Sequence, residues 1–202
     1  MSFRLKRPVR DIAVVGVGGQ GIILATDVIA TVFLEAGYDV KKSEVHGMAQ
    51  RGGSVQSHVR RHPERVYSPL IAERGADVLV SFEAMEALRY ASIVADDGLI
   101  LYNTLKIPTS AMSTGQSPYP RDIDERLKQG SPKVLSVDAL RLAQDLGNLR
   151  VANTVLVGAL SGFIDIPQSL WGEVLSARVP KGAVEVNLEA LAAGRDIAAA
   201  AF

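Results

Sequence analysis

Asp11-Ile12-Ala13-Val14-Val15-Gly16-Val17-Gly18-Gly19-Gln20-Gly21 is a short apolar run that turns on glycine. Ile12 to Val15 is continuously apolar, the pattern of a parallel strand covered on both faces. Past the glycines, Ile22, Ala25, Ile29, Val32 and Ala36 recur at helical spacing, which predicts a helix over 20–36 with Gly37 as its stop. Strand, tight turn and helix in that order open an α/β sheet.

Working outward, 39–45 starts a second strand, and 54–60 alternates Val55 and Val59 with Gln56 and His58, as a strand with one exposed face does. Residues 76–80 read as another buried strand followed by a helix over 84–94. Asp97-Gly98 then marks a turn and 99–102 a further strand. Pro108, Pro118 and Pro120 make 106–120 a loop on the rim. A strand at 133–137 leads to a short helix opened by Asp138 and running to Leu146. The remainder is helical, over 153–164, 168–177 and 183–200, broken by Pro167, Pro180 and Gly182. The expected architecture is one α/β domain over 1–202, with its core at 10–195. Its sheet is open, mostly parallel and Rossmann-like, flanked by helices, and its carboxy-terminal region is helical.

The 202 residues carry 22 basic and 22 acidic side chains, and 48% are hydrophobic, which argues against disorder and against a global electrostatic grip on nucleic acid. Charge is uneven locally. Residues 41–65 hold Lys41, Lys42, Arg51, Arg60, Arg61 and Arg65 against Glu44 and Glu64, a net of +4, together with all three histidines. Such a segment suits either a solvated strand edge or a surface facing phosphate, carboxylate or an acidic partner. With no cysteine, the chain has no disulfide framework, no thiol nucleophile and no thiolates for an iron–sulfur cluster. No long uncharged apolar stretch and no signal-peptide core follow the basic amino terminus, so the expected setting is cytoplasmic, away from membrane.

Gly16, Gly18 and Gly21 form a G-x-G-x-x-G loop before a helix, which presents free backbone N–H groups to an anion. A dinucleotide site also needs an acid at the end of the second strand, about 20 residues on. Asp39 sits at that strand's start, and Glu44 lies 23 positions after Gly21 inside another motif. Gly19 and Gln20 also differ from the small apolar residues usual in such loops. Two readings stand: a nucleotide-binding, NAD(P)-type oxidoreductase acting alone, or a close-packed turn whose helix end receives a phosphate-bearing ligand or a partner's side chain.

The second motif is Glu44-Val45-His46-Gly47-Met48-Ala49-Gln50-Arg51-Gly52-Gly53-Ser54. Its glycines allow sharp bends, Arg51 can fork onto a carboxylate or phosphate, and Gln50 can donate and accept. With the glycine loop it resembles the gamma-type subunit or domain of the 2-oxoacid:ferredoxin oxidoreductases, the small-subunit kind that serves indolepyruvate and other aryl pyruvates. Ala76-Asp77-Val78-Leu79-Val80, Gly98-Leu99-Ile100-Leu101-Tyr102-Asn103 and Asn153-Thr154-Val155-Leu156-Val157-Gly158-Ala159 agree as well.

The resemblance implies a subunit of an enzyme that oxidatively decarboxylates a 2-oxoacid to an acyl-CoA and CO2 while reducing ferredoxin. Thiamine diphosphate, Mg2+, iron–sulfur clusters and coenzyme A are then handled mainly by a large subunit, and ferredoxin is met through the complex. The isolated chain is expected to be inactive, with self-association through its partner surfaces left open. Carried over as cofactor-binding or interface contacts are Gly16, Gly18, Gly19, Gln20 and Gly21, with Glu44, His46, Gly47, Met48, Gln50, Arg51, Gly52 and Gly53. No catalytic residue and no metal ligand is assigned, since His58 and His62, four apart in a strand, do not converge. Asp77 and Glu83 flank a strand end and read by default as solvated carboxylates, and Trp171 and Phe163 as core or interface.

Overall fold

Residues 8–46, 52–130 and 133–201 are described in the computed structural model. β1 (Asp11–Val17) runs into α1 (Ile22–Glu35), followed by β2 (Asp39–His46), β3 (Ser54–His62), β4 (Ala76–Ser81), α2 (Ala84–Arg89) and β5 (Val94–Asn103). Then come α3 (Ser110–Ser113), α4 (Ile123–Gly130), β6 (Val134–Val137), α5 (Ala139–Asp145), α6 (Ala152–Ser161), α7 (Gln168–Arg178) and α8 (Val184–Ala200). The six strands lie in the order β2-β3-β1-β4-β5-β6. β1, β4, β5 and β6 are parallel, and β3 runs antiparallel to both of its neighbours. The expected open, mostly parallel α/β sheet with a helical end is what forms, with one reversed strand.

The apolar run of β1 is buried on both sides because successive side chains point to opposite faces. Ile12 and Val14 join the core built from α1 and α5 to α8, whereas Ala13 and Val15 join the smaller core under α2 and α4. Phe33 and Trp171 are fully buried in the first, and Phe163 packs against it, as expected of core aromatics. α6 and α8 approach to backbone contact. A Cβ on Gly158 would lie 2.2 Å from the Leu191 carbonyl oxygen, and one on Gly194 would lie 2.0 Å from that of Val155.

Four stretches depart from the sequence expectation, the first being the one-turn helix α3 inside the 106–120 loop. The helix expected over 84–94 stops at Arg89 and gives way to a 3-10 turn, Ala91–Ile93. Asp97-Gly98 is a bulge inside β5 and not a turn before it. Ala76 pairs with Val94 and Val78 with Leu99, so two steps along β4 match five along β5. α4 was not anticipated, because Ile123 and Leu127 are its only buried residues and too few to announce a helix.

β1 and β4 are adjacent and parallel, yet α1 packs on one face of the sheet and α2 on the other. Connections that leave neighbouring strands in opposite directions open a crevice at the strands' carboxyl ends.

Candidate functional site

The glycine loop borders that crevice. Gly19 (φ 103°) and Gly21 (φ 81°) adopt left-handed backbone, which side chains rarely tolerate. Gln20 folds back across the loop: its Oε1 accepts the Val17 N–H at 2.7 Å, and its Nε2 donates to the Phe82 carbonyl at 2.9 Å. A Cβ on Gly16 would meet that Oε1 at 2.7 Å, so Gly16 makes room for Gln20. The Phe82 carbonyl also accepts from Asn103 Nδ2 at 3.3 Å, and Asn103 Oδ1 in turn receives the Ala139 N–H at 3.3 Å. Two amide side chains thus stitch the ends of β1, β4 and β5 together.

Between them lies a cleft of about 270 Å³. Its walls include Gly19, Gly21, Phe82, Asn103, Leu105, Leu140, Leu149, Arg150 and Asn153. No side chain caps the amino terminus of α1, whose cap is Gly21, and Asn153 lies against that cap. A Cβ on Gly21 would come within 2.5 Å of Asn153 Nδ2. Backbone donors, a primary amide and the Arg150 guanidinium suit a carboxylate or phosphate, with leucines and Phe82 for an apolar part. Among the described residues lining the cleft there is no acid, imidazole or thiol. Such walls can hold and orient an anionic group.

The two glycine motifs meet. Gly18 donates its N–H to the Gly53 carbonyl at 2.8 Å, and the Gly52 N–H faces the Gly18 carbonyl at 3.5 Å. The side chain of His46, and Gly47, Met48, Gln50 and Arg51, lie outside the described residues. Glu44 is described, and it accepts from Lys42 at 2.6 Å while Lys42 also bonds Asp27 at 2.5 Å. Burial opposes the charge on Lys42, but the bonds to these two carboxylates outweigh it and hold its pKa above the ordinary value. Glu44 is not placed beside the loop. β3 separates β2 from β1, so an acid on β2 stands two strands away from where a ribose next to β1 would need it. The sheet order therefore weighs against the dinucleotide reading.

The remaining sequence candidates are structural. His58 Nδ1 accepts the Ile71 N–H at 3.0 Å, and its Nε2 lies 2.8 Å from the Gln56 side-chain amide. Burial first, then the Arg60 cation, lowers its pKa. His62 Nδ1 accepts the Glu64 and Arg65 N–H groups, each at 3.1 Å. Asp77 and Glu83, expected as solvated carboxylates, are buried instead, at 5% and 0% exposure. Asp77 accepts the N–H groups of Arg10 and Asp11 at 2.7 and 2.9 Å, and it lies at the sheet's opposite end. Sequence reasoning missed Arg150 and the roles of Asn103 and Asn153, which stand outside both glycine motifs and reach the cleft only through folding.

Residues 11–197 match the pyruvate ferredoxin/flavodoxin oxidoreductase family. The chain belongs to this family. It is 40% identical over 189 residues to the indolepyruvate oxidoreductase subunit IorB of Archaeoglobus fulgidus, covering 91% of this chain and 92% of that one. The fold is shared with a keto/oxoacid ferredoxin oxidoreductase gamma subunit from Geobacter sulfurreducens PCA (TM-score 0.71, 22% identity, 95% and 99% of the two chains covered). It is shared too with a 2-oxoglutarate:ferredoxin oxidoreductase from Magnetococcus marinus solved with 2-oxoglutarate, coenzyme A and succinyl-CoA bound. There the TM-score is 0.75 at 24% identity, over 98% of this chain and 32% of that one. Family complexes use thiamine diphosphate and iron–sulfur clusters, and this family member, which has no cysteine, is a subunit of a multi-subunit oxidoreductase. Among the described residues, no helix is long and apolar enough to cross a membrane.

Proposed function

We propose that this chain is the small subunit of an indolepyruvate-type 2-oxoacid:ferredoxin oxidoreductase. It pairs in the cytoplasm with a large subunit that holds thiamine diphosphate, Mg2+ and the iron–sulfur clusters. The assembled enzyme oxidatively decarboxylates an aryl 2-oxoacid to the acyl-CoA and CO2, and ferredoxin takes the electrons through the complex. This chain contributes a wall of the reaction chamber: the cleft between the glycine loop, Asn153 and Arg150, with Gly52 and Gly53 braced against the loop. One observation carries the reading. The cleft at the switch point gathers anion-binding groups, the glycine loop at the start of α1, Asn153 and Arg150, with an apolar lining from Phe82, Leu105, Leu140 and Leu149, which suits a carboxylate or phosphate carried on an apolar body. The indolepyruvate assignment is supported by 40% identity, over nearly the full length of both chains, to a subunit bearing that name.

Co-expression tests it. The pair of subunits is expected to turn over indolepyruvate with coenzyme A and ferredoxin, and each subunit alone is expected to be inactive. Turnover by the lone 202-residue chain with added thiamine diphosphate would refute the division of labour.

A further inference from the structure

Two carboxylates that the cleft does not itself use lie buried in the first turn of α2. Glu83 is 0% and Glu86 2% exposed. Burying a carboxylate costs several kcal/mol unless it is hydrogen-bonded, so the partners of each show what it holds. Glu83 Oε2 caps α2 through the Glu86 N–H at 2.9 Å. Its Oε1 receives both the Ile107 N–H at 3.0 Å and the Tyr119 hydroxyl at 2.5 Å. Those two donors are the two feet of the proline-rich excursion on the rim. Close by, the Ala84 N–H donates to the carbonyl of Leu105, a cleft wall, at 2.9 Å. Burial, then the bond to Glu83, raises the Tyr119 pKa, so the phenol remains a donor.

Glu86 points to the other side. Its Oε2 accepts the Ser54 hydroxyl, which also lies 3.1 Å from Tyr90 Oη, while its Oε1 is 3.2 Å from Arg89 Nε. Ser54 directly follows Gly53, the residue bonded to Gly18 of the glycine loop. One helical turn therefore grips two segments beside the crevice, 105–107 with the wall residue Leu105 through Glu83, and Ser54, next to the Gly53 that bonds the glycine loop, through Glu86.

We infer that Glu83 and Glu86 are positioning residues that hold the Leu105 wall and the glycine loop, the latter through Ser54 and Gly53, at the spacing the bound substrate requires. The inference rests on the proposed function for the identity of the reaction. The grip itself is measurable without that reaction.

Tyr119→Phe and Ser54→Ala each delete one hydroxyl and leave the carboxylates in place. In the full-length chain, hydrogen exchange at Met85, whose N–H donates to Tyr119 Oη at 3.0 Å, and at Leu105 and Ile107 is expected to accelerate about tenfold in Tyr119→Phe, and at Gly18 and Ser54 in Ser54→Ala, with β1 and β5 interiors unchanged. In the reconstituted complex, either variant is expected to raise the KM for the 2-oxoacid or for coenzyme A about tenfold while kcat stays within about twofold. Glu83→Gln, which retains an acceptor for Ile107 and Tyr119, should restore much of what Glu83→Ala loses. Unchanged local exchange overturns the proposal. So does faster exchange with unaltered KM in a complex that turns over, and so does a uniform rise across the chain, which signals general destabilisation. A wild-type pair that turns over no 2-oxoacid refutes the functional reading instead, and the exchange arm then decides the grip by itself.

Discussion

The two ends of the sheet use polar groups in opposite ways. At the amino end of β1 most of them bond within the fold. Arg60 Nε bonds Asp11 at 2.7 Å, Asp77 takes two backbone N–H groups, and Arg61 lies between the rings of Phe33 and Tyr38, 4.4 and 4.3 Å from their centroids. Arg61 Nε also donates to the Val9 carbonyl at 2.7 Å. At the carboxyl end, Arg150, Asn153 and the uncapped start of α1 face a cleft. A basic segment read from the sequence as one feature thus divides. Arg60 and Arg61 stabilise the fold at one end, and the Gly52-Gly53 end of the second motif bonds to Gly18 of the glycine loop at the other.

That contrast predicts stability losses without specific activity losses at the amino end, and the reverse at the cleft. Arg61→Ala removes both ring contacts and orphans the Val9 carbonyl. It is expected to cost about 3 kcal/mol in chemical denaturation, with kcat of the folded, assembled enzyme unchanged. Gly21→Val forces a branched side chain into left-handed backbone and against Asn153. Expected are a loss of about 2 kcal/mol in stability and at least about tenfold in kcat/KM of the complex. Asp77→Ala leaves the Arg10 and Asp11 N–H groups without their acceptor, for about 2 kcal/mol or less in the same denaturation measurement and no change in KM.

The smallest effect is a pH slope. Because His58 is held below the ordinary histidine pKa of 6.5, the unfolded chain takes up this proton first as pH falls. The stability it contributes is complete above that ordinary value and declines as pH drops through it toward the folded pKa. His58→Gln should flatten the denaturation midpoint between about pH 7 and 5. An unaltered slope would assign it to other groups.

How much of this was legible depends on the range of the interactions involved. β1, the turn and α1 announce themselves because their cause is local: a continuous apolar run, glycines at positive φ, and Gly37 (φ 87°) ending the helix with its N–H on the Leu34 carbonyl at 2.9 Å. The resemblance placed the chain in its family through two motifs that fold into contact at Gly18 and Gly53. Burial of Glu83 and Glu86 was not legible, because a carboxylate is drawn inside by donors far off in the chain. Tyr119 is 36 residues from Glu83, and Ser54 is 32 from Glu86. Arg150 and Asn153 were hidden for the same reason, as their place beside Gly21 arises only when α6 packs behind the sheet.

Arg150→Glu in the fully assembled complex probes the proposed division of labour, in which the carboxyl-end cleft holds an anionic group of the substrates and the large subunit performs the chemistry. Replacing the cation with a carboxylate is expected to raise the KM of the 2-oxoacid or of coenzyme A about tenfold to a hundredfold, with kcat within about twofold and subunit association intact. An unchanged KM in an intact complex would contradict the account.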